Sequence, residues 1–513
     1  MVSNLYSMGM DGICAFVVKI ESDVSQGMPM CDIVGLPDVA VKESRNRVRS
    51  AIKNSGFKFP VARITVNLAP AAVRKTGSLY DLPIFLAILH ASNQIIGDLD
   101  SSIFIGELSL SGDICPVSGI LSMTLKAKEM GFDNIFVPYE NASEAAIITG
   151  INVYAVRNVS EVIGHLSGEK VMQSKSPTII SRNPISKLLD FSEIKGQTSV
   201  KRALEITAAG GHNILMIGPP GAGKSMLAQR IPTILPEMSF DEMLESTAIH
   251  SVCGTLSANH PLVTERPFRE PHHNISVAGL CGGGSPPRPG EISLAHNGVL
   301  FLDELSEFPR ATLDSLRQPL EEGQITVSRV NASNDFPCSI MLVAAMNPCP
   351  CGYFGHPDTI CTCSKVQIER YLSKISGPIL DRIDIHIEVP SVSYEDINST
   401  KVPESSTDIR ERVNCARELQ LKRYKKYSDQ KIFSNKQIPS KLMAEICKLT
   451  PDASNILQHA FNSLSLSVRS YNKILKVSRT IADLDGNELI DTPHLSEALQ
   501  YRAVDTKYFF KHT

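Results

Sequence analysis

Tryptophan is absent from this 513-residue chain, and aromatic residues make up only 6% of it. A protein that grips single-stranded nucleic acid by stacking bases on aromatic faces would need more of them. An excess of one charge is missing too: 51 Lys and Arg against 54 Asp and Glu leave a formal net charge of −3. That excludes a protein whose whole surface coats polyanions, so any cations that meet nucleic acid must be concentrated locally. Long hydrophobic runs are also lacking, none approaching the roughly 20 apolar residues that span a bilayer. The best N-terminal run, Ile13 to Val18, stops at Lys19 and is too short for a secretory leader. A cytoplasmic protein without a membrane partner is expected. Twelve cysteines in that compartment do not form a disulfide framework, which directs attention to metal.

What is present begins with length: the chain exceeds a single core, and about three domains is the prior. The most informative stretch is His212–Ile231. Ile214, Leu215, Met216 and Ile217 suit a buried parallel strand, and a helical pattern (Met226, Leu227, Ile231) follows. Between them Gly218-Pro219-Pro220-Gly221-Ala222-Gly223-Lys224-Ser225 fits G-x-x-x-x-G-K-[ST] in the strand–loop–helix setting of a phosphate-binding loop. Its glycines let backbone N–H groups turn inward at a helix N-terminus. Lys224 would reach the β- and γ-phosphates and Ser225 would ligate Mg²⁺.

Further on, the apolar run Val299–Leu302 ends in Asp303 and Glu304. Asp303 is expected to hold Mg²⁺ and Glu304 to polarise the attacking water. ATP and Mg²⁺ are therefore the expected cofactors. Ser339–Asn347 reads as another buried strand, and Asn347 either positions water against the γ-phosphate or simply ends the strand before Pro348.

Before this core, residues 1–167 alternate strands (Ala15–Ile20, Ile64–Leu68, Ile103–Leu110, Asn134–Pro138, Ile151–Val156) with helices (Val39–Lys53, Asp81–Ala91, Leu121–Met130). Ser111-Gly112-Asp113 reads as a hairpin turn. The segments starting at Lys75 and Phe104 resemble the Lon protease domain. At the positions of that domain's nucleophilic Ser and catalytic Lys stand Leu79 and Leu121, with Ser78 one place off. The resemblance implies a Lon-like fold that does not cleave peptides. Residues 168–189, rich in Ser, Lys and Pro, read as a linker; an ATPase core is expected over 190–395 and a helical lid over 396–513.

Asn67-Leu-Ala-Pro-Ala-Ala, Glu270–Ser276 (EPHHNIS), Leu316–Gly323 (LRQPLEEG) and Ala344–Gly352 (AAMNPCPCG) together resemble the magnesium-chelatase-like AAA+ family, the ComM/YifB group, over essentially the whole chain. The fold this implies is a P-loop AAA+ core of the helix-2-insert branch with a C-terminal helical lid. It also implies a homo-oligomer, a hexameric ring, and ATP-driven branch migration of DNA in recombination and natural transformation. Within that pattern Arg382, in Asp381-Arg-Ile-Asp384, would reach the γ-phosphate held by a neighbouring subunit; a local ion pair with Asp381 or Asp384 is the alternative. Arg469 would be the lid arginine that senses nucleotide, or else a solvated helical residue.

Two insertions point to branched or single-stranded DNA handled without sequence preference. The first carries Arg266 and Arg269, then Arg288 in the Gly-rich stretch Gly279–Gly290. The second is an expected hairpin over Gln324–Asn334 with Arg329. The competing reading is a motor that remodels a protein partner, as in metal insertion; an ATP-dependent protease is a third. Cys349, Cys351, Cys361 and Cys363 are candidate ligands of a structural zinc, with reduced thiols as the alternative; His356 reads as a loop residue.

Overall fold

A computed structural model describes residues 2–97, 99–178, 189–257, 259–284, 287–329, 332–398, 403–430, 432–463 and 466–509. The chain divides into two compact units: Met1–Arg182 with Phe240–Thr264, and Asn183–Ser239 with Glu265–Thr513. Of the expected linker, residues 179–188 lie outside the described residues. Among the described residues no helix is long and apolar enough to cross a membrane.

The first unit is built on seven strands: β1 (Val2–Asp11), β2 (Cys14–Ser25), β3 (Met30–Val34), β4 (Arg63–Ala69), β5 (Ser102–Phe104), β6 (Asn134–Pro138) and β7 (Asn152–Val156). They lie in the order β3-β4-β2-β1-β5-β6-β7. The β1–β2 and β2–β4 pairs are antiparallel and the other neighbours parallel. Helices α1 (Val39–Asn54), α2 (Asp81–Ala91) and α3 (Ile120–Glu129) accompany the sheet. Ten of the eleven residues of α2 are buried, the mark of a helix inside a core rather than on its surface. Its buried acid, Asp81, is held by Arg47 of α1 at 2.6 and 3.1 Å.

The helix Phe240–Val252 belongs to this unit, although its residues fall within the range expected for the ATPase core. Ser251 Oγ accepts the Gly119 amide at 3.0 Å and donates to the buried Glu144 carboxylate. The expected strand Ile103–Leu110 is interrupted after Phe104. Gly106 passes so close to a short hairpin that a Cβ there would lie 2.6 Å from Ile114.

The second unit carries a parallel five-stranded sheet: β8 (Ile214–Ile217), β9 (Phe268–Arg269), β10 (Val299–Leu302), β11 (Met341–Met346) and β12 (Ile385–Glu388), in the order β9-β10-β11-β8-β12. Every residue of β8, β10 and β11 is buried, as expected of strands covered on both faces. Helices α4 (Thr198–Gly210), α5 (Lys224–Ile234) and α6 (Lys365–Leu372) belong to the α/β part. The helical C-terminal region includes α7 (Ser406–Tyr424), α8 (Val468–Leu484) and α9 (Thr492–Tyr508). One apolar core runs through both parts, from Ile214 and Val343 past Leu204 to Val413, Ile474 and Ile481. The expected hairpin is present as Gln324–Arg329 paired with Ala332–Pro337.

Candidate nucleotide site

Strands β8, β10 and β11 deliver their C-terminal ends to one place, where a parallel sheet habitually binds ligands. The loop after β8 needs its glycines: a Cβ on Gly218 would lie 2.3 Å from Val389 O, and Gly221 and Gly223 have φ of +77° and +83°. Lys224, the first residue of α5, is buried. Its Nζ donates to Gly218 O (2.7 Å), Pro219 O (2.9 Å) and Asn347 Oδ1 (3.0 Å). Burial lowers its pKa, against the pull of Asp303 and Glu304.

Ser225 Oγ donates to Asp303 Oδ2 at 2.5 Å, so a hydroxyl and a carboxylate converge from β8 and β10. Hard oxygen donors of this kind suit Mg²⁺. Glu304 sits in the left-handed region at φ +50°, a conformation that costs a non-glycine residue energy and clusters at functional sites. Its carboxylate stands 3.5 Å from His273 Nδ1.

These groups open onto a cavity of about 830 Å³ lined by Pro220 through Ser225, Asp303, Glu304 and Asn347. The same cavity is lined by residues that motif reading passed over: Glu307, Gln367, Arg370, Tyr371 and Lys374. Tyr371 hydroxyl receives Ser306 Oγ at 2.5 Å, and Lys374 pairs with Glu307 at 3.3 Å. Two cations four residues apart, Arg370 in a short helix and Lys374 just past its end, look ordinary in sequence. Only the fold brings them to the cavity that the phosphate loop lines.

Arg382 and Arg469 turn away from this cavity and share one acid. Arg382 reaches Glu321 at 2.7 Å and also bonds Arg317 O and Pro378 O, while Arg469 meets Glu321 at 3.3 Å. Among the described residues Arg382 thus pairs with neither Asp381 nor Asp384. Asp384 is instead buried behind it, accepting the Asn213 amide at 2.9 Å, while Asn213 Nδ2 donates to Arg382 O at 2.8 Å.

Arg266 and Arg269 are turned into the fold rather than exposed on a loop. Arg266 donates to Pro236 O and Asn297 O, both at 2.7 Å, and Arg269 grips Glu291 at 2.6 and 2.8 Å. Carbonyl groups and an acid within reach satisfy guanidiniums that sequence spacing alone leaves open. Arg288 is exposed; the side chain of Arg329 lies outside the described residues. Cys349, Cys351, Cys361 and Cys363 bring their sulfurs within 4.8 Å of one another.

Comparison with known proteins agrees with this architecture. Residues 190–397 match the family model described as magnesium chelatase, subunit ChlI; 20–141 match subunit ChlI of Mg-chelatase, and 403–502 its C-terminal model. The chain is 44% identical to YifB of Escherichia coli K12 over 498 residues, 96% of each protein. The chain belongs to the magnesium-chelatase-like ComM/YifB family. It is likewise 44% identical over 508 residues to competence protein ComM of Haemophilus influenzae, covering 98% of this chain and 97% of ComM. To Rv2897c of Mycobacterium tuberculosis it is 38% identical over 499 residues, 97% and 98% of the two chains. A mixed α/β fold with a parallel sheet and a helical C-terminal region is what an AAA+ ATPase of this family requires.

Proposed function

We propose that this member of the ComM/YifB family is a Mg²⁺-dependent ATPase that assembles as a hexameric ring and moves along or remodels branched or single-stranded DNA without sequence preference. Its setting would be branch migration in recombination or natural transformation, as the name of its ComM relative suggests. The observation that carries the ATPase half is the convergence of Lys224, the Ser225–Asp303 pair, Glu304 and Asn347 on one cavity.

Lys224 would exchange its loop carbonyls for phosphate oxygens as substrate enters, which the hydrogen-bonding capacity of an ammonium permits. Ser225 and Asp303 would hold Mg²⁺, which when bound neutralises charge on the phosphates. Glu304 would accept the proton of the attacking water while Asn347 orients it. Arg382 would act on the nucleotide of a neighbouring copy, exchanging Glu321 for the γ-phosphate and making turnover depend on assembly.

Arg288 and the hairpin bearing Arg329 would meet DNA phosphates, as pore insertions of the helix-2-insert branch. Arg266 and Arg269 would support that surface from within through Glu291 and backbone carbonyls. The first unit is read as Lon-like without proteolysis: Leu79 and Leu121 are buried, and Ser78 and Lys75 form no Ser–Lys pair, Ser78 donating to Glu107 and the Lys75 ammonium to Pro70 O.

The test is ATP turnover and strand displacement on forked and four-way junction DNA, with Lys224→Ala as control. Stimulation by DNA that fades with added salt is expected. Turnover indifferent to DNA, without strand movement, would move the assignment to a motor acting on a protein partner.

A further inference from the structure

Between Asn347 and Ser364 the chain forms neither helix nor strand, and Ile360 in its middle is 89% exposed. Its backbone is irregular, with Phe354 meeting Tyr508 edge-on at a ring separation of 6.1 Å. It also gathers sulfur. Cys349 Sγ lies 3.3 Å from Cys351 Sγ and 3.7 Å from Cys361 Sγ, and Cys351 lies 3.5 Å from Cys361. A disulfide would need about 2.05 Å. Four thiolates placed about 2.3 Å from one tetrahedral zinc ion stand about 3.8 Å apart. Cys363 completes the set within 4.8 Å. The Phe354 amide donates to Cys349 Sγ at 3.3 Å. Donors aimed at sulfur are what metal-bound thiolates use.

His356 is excluded as a ligand. Its Nε2 meets Ser391 Oγ at 3.1 Å and its Nδ1 accepts the amides of Asp358 and Thr359.

The cluster touches the nucleotide cavity through three neighbours. Cys349 follows Asn347 by two residues, and Pro350 between the first two cysteines lines the cavity. Gly352 (φ +87°) rests on the phosphate loop so closely that a Cβ would lie 2.4 Å from Pro220 Cδ. Cys363 directly precedes Ser364, whose hydroxyl caps α6 in a reciprocal pair with Gln367. That helix and its exit carry Arg370 and Lys374 into the cavity.

We propose that Cys349, Cys351, Cys361 and Cys363 hold one zinc ion, and that this ion sets the wall of the ATP cavity carried by α6, with Arg370 and Lys374 as cations toward the bound nucleotide. The metal assignment is independent of the ATPase reading; the role of α6 rests on it.

The experiment uses the full-length protein. Elemental analysis after expression with added zinc is expected to find about one zinc per chain. Cys361→Ser/Cys363→Ser is expected to lose that zinc and to weaken binding of a fluorescent ATP analogue by at least about tenfold. Gly352→Ala is expected to keep its zinc and still bind the analogue more weakly, and Arg370→Ala/Lys374→Ala to do the same. Lys224→Ala, zinc-loaded but unable to bind nucleotide, reads the metal separately from the ATPase assignment. Should the cysteine variant fail to fold, chelation of zinc from the wild-type protein, followed by nucleotide binding, replaces it. Wild-type protein that carries no zinc, or iron in its place, overturns the metal assignment. Zinc-free protein that binds nucleotide as tightly as the wild type overturns the role of α6.

Discussion

His273 Nδ1 stands 3.5 Å from Glu304 Oε2. The imidazole comes from the segment after β9 and the carboxylate from the end of β10, strands that are neighbours in the sheet. His272 packs on His273 at a ring separation of 4.1 Å and Phe308 meets it edge-on. If Glu304 polarises water as proposed, this contact makes His273 the residue that would position it.

His273→Ala should lower kcat by about ten- to a hundredfold and leave nucleotide affinity nearly unchanged. Added to Glu304→Gln it should lower kcat no further, because the residue it positions has already lost its charge. Steady-state kinetics on the two single variants and the double variant measure this. Independent, multiplicative losses would show that His273 acts elsewhere.

Because Arg382 faces Glu321 and not its own cavity, its loss should be repaired by another copy. Arg382→Ala alone should turn over ATP at least about a thousandfold more slowly. Mixed with Lys224→Ala, which carries an intact Arg382, it should regain activity at interfaces where one copy supplies the cradle and the other the guanidinium. A mixture as inactive as its parts would count against an arginine acting in trans.

Lys436 and Lys473 crowd the buried Asp384. Lys436 Nζ donates to Asn213 Oδ1 (2.8 Å) and Ile340 O (2.9 Å), and Lys473 Nζ lies 3.4 Å from Asp384. Burial lowers both ammoniums to about 8 despite the attraction of that acid. Unfolded, each keeps its proton to about 10.5. Between those values the unfolded chain binds more protons, so stability from these groups rises with pH from about 8 to about 10.5. Lys436→Met should flatten that rise by on the order of 2 kcal/mol in urea melts. An unchanged slope would place the titration elsewhere.

In α8, Arg479 is fully buried and pairs with Asp483 at 3.0 Å; Arg423 of α7 binds the same carboxylate, and Asn435 donates to it at 2.9 Å. Asp483→Ala leaves two guanidiniums without their counter-ion and should cost about 3–5 kcal/mol. Thermal unfolding measures it. Asp483→Ala/Arg479→Met, which removes the fully buried guanidinium with the acid and leaves only Arg423 unpaired, should be less destabilised than Asp483→Ala alone.

Element boundaries were legible where a continuous apolar run is bounded by polar or turn residues. Asn134–Pro138 and Asp81–Ala91 have the bounds that pattern predicts. β1 was not legible, because two of its inward positions are Ser3 and Ser7, both buried, with Ser7 Oγ bonded to Phe104 O at 2.8 Å. A polar residue satisfied by a distant carbonyl leaves no hydrophobic period to read. The same reason hid Asn213, whose side chain joins Arg382, Leu342 and Lys436.

Local chemistry by itself determined the phosphate loop, the paired acids after β10 and the four closely spaced cysteines. Each is a short run in which the residue types carry the function and a glycine, strand or helix must stand beside them. The tertiary structure decided what meets across the chain: Arg370 and Lys374 in the cavity of the phosphate loop, His273 beside Glu304, Arg266 and Arg269 turned inward, Arg382 and Arg469 on one acid. Those contacts depend on strand order and helix packing, and residues far apart in sequence keep no record of which of them the sheet will make neighbours.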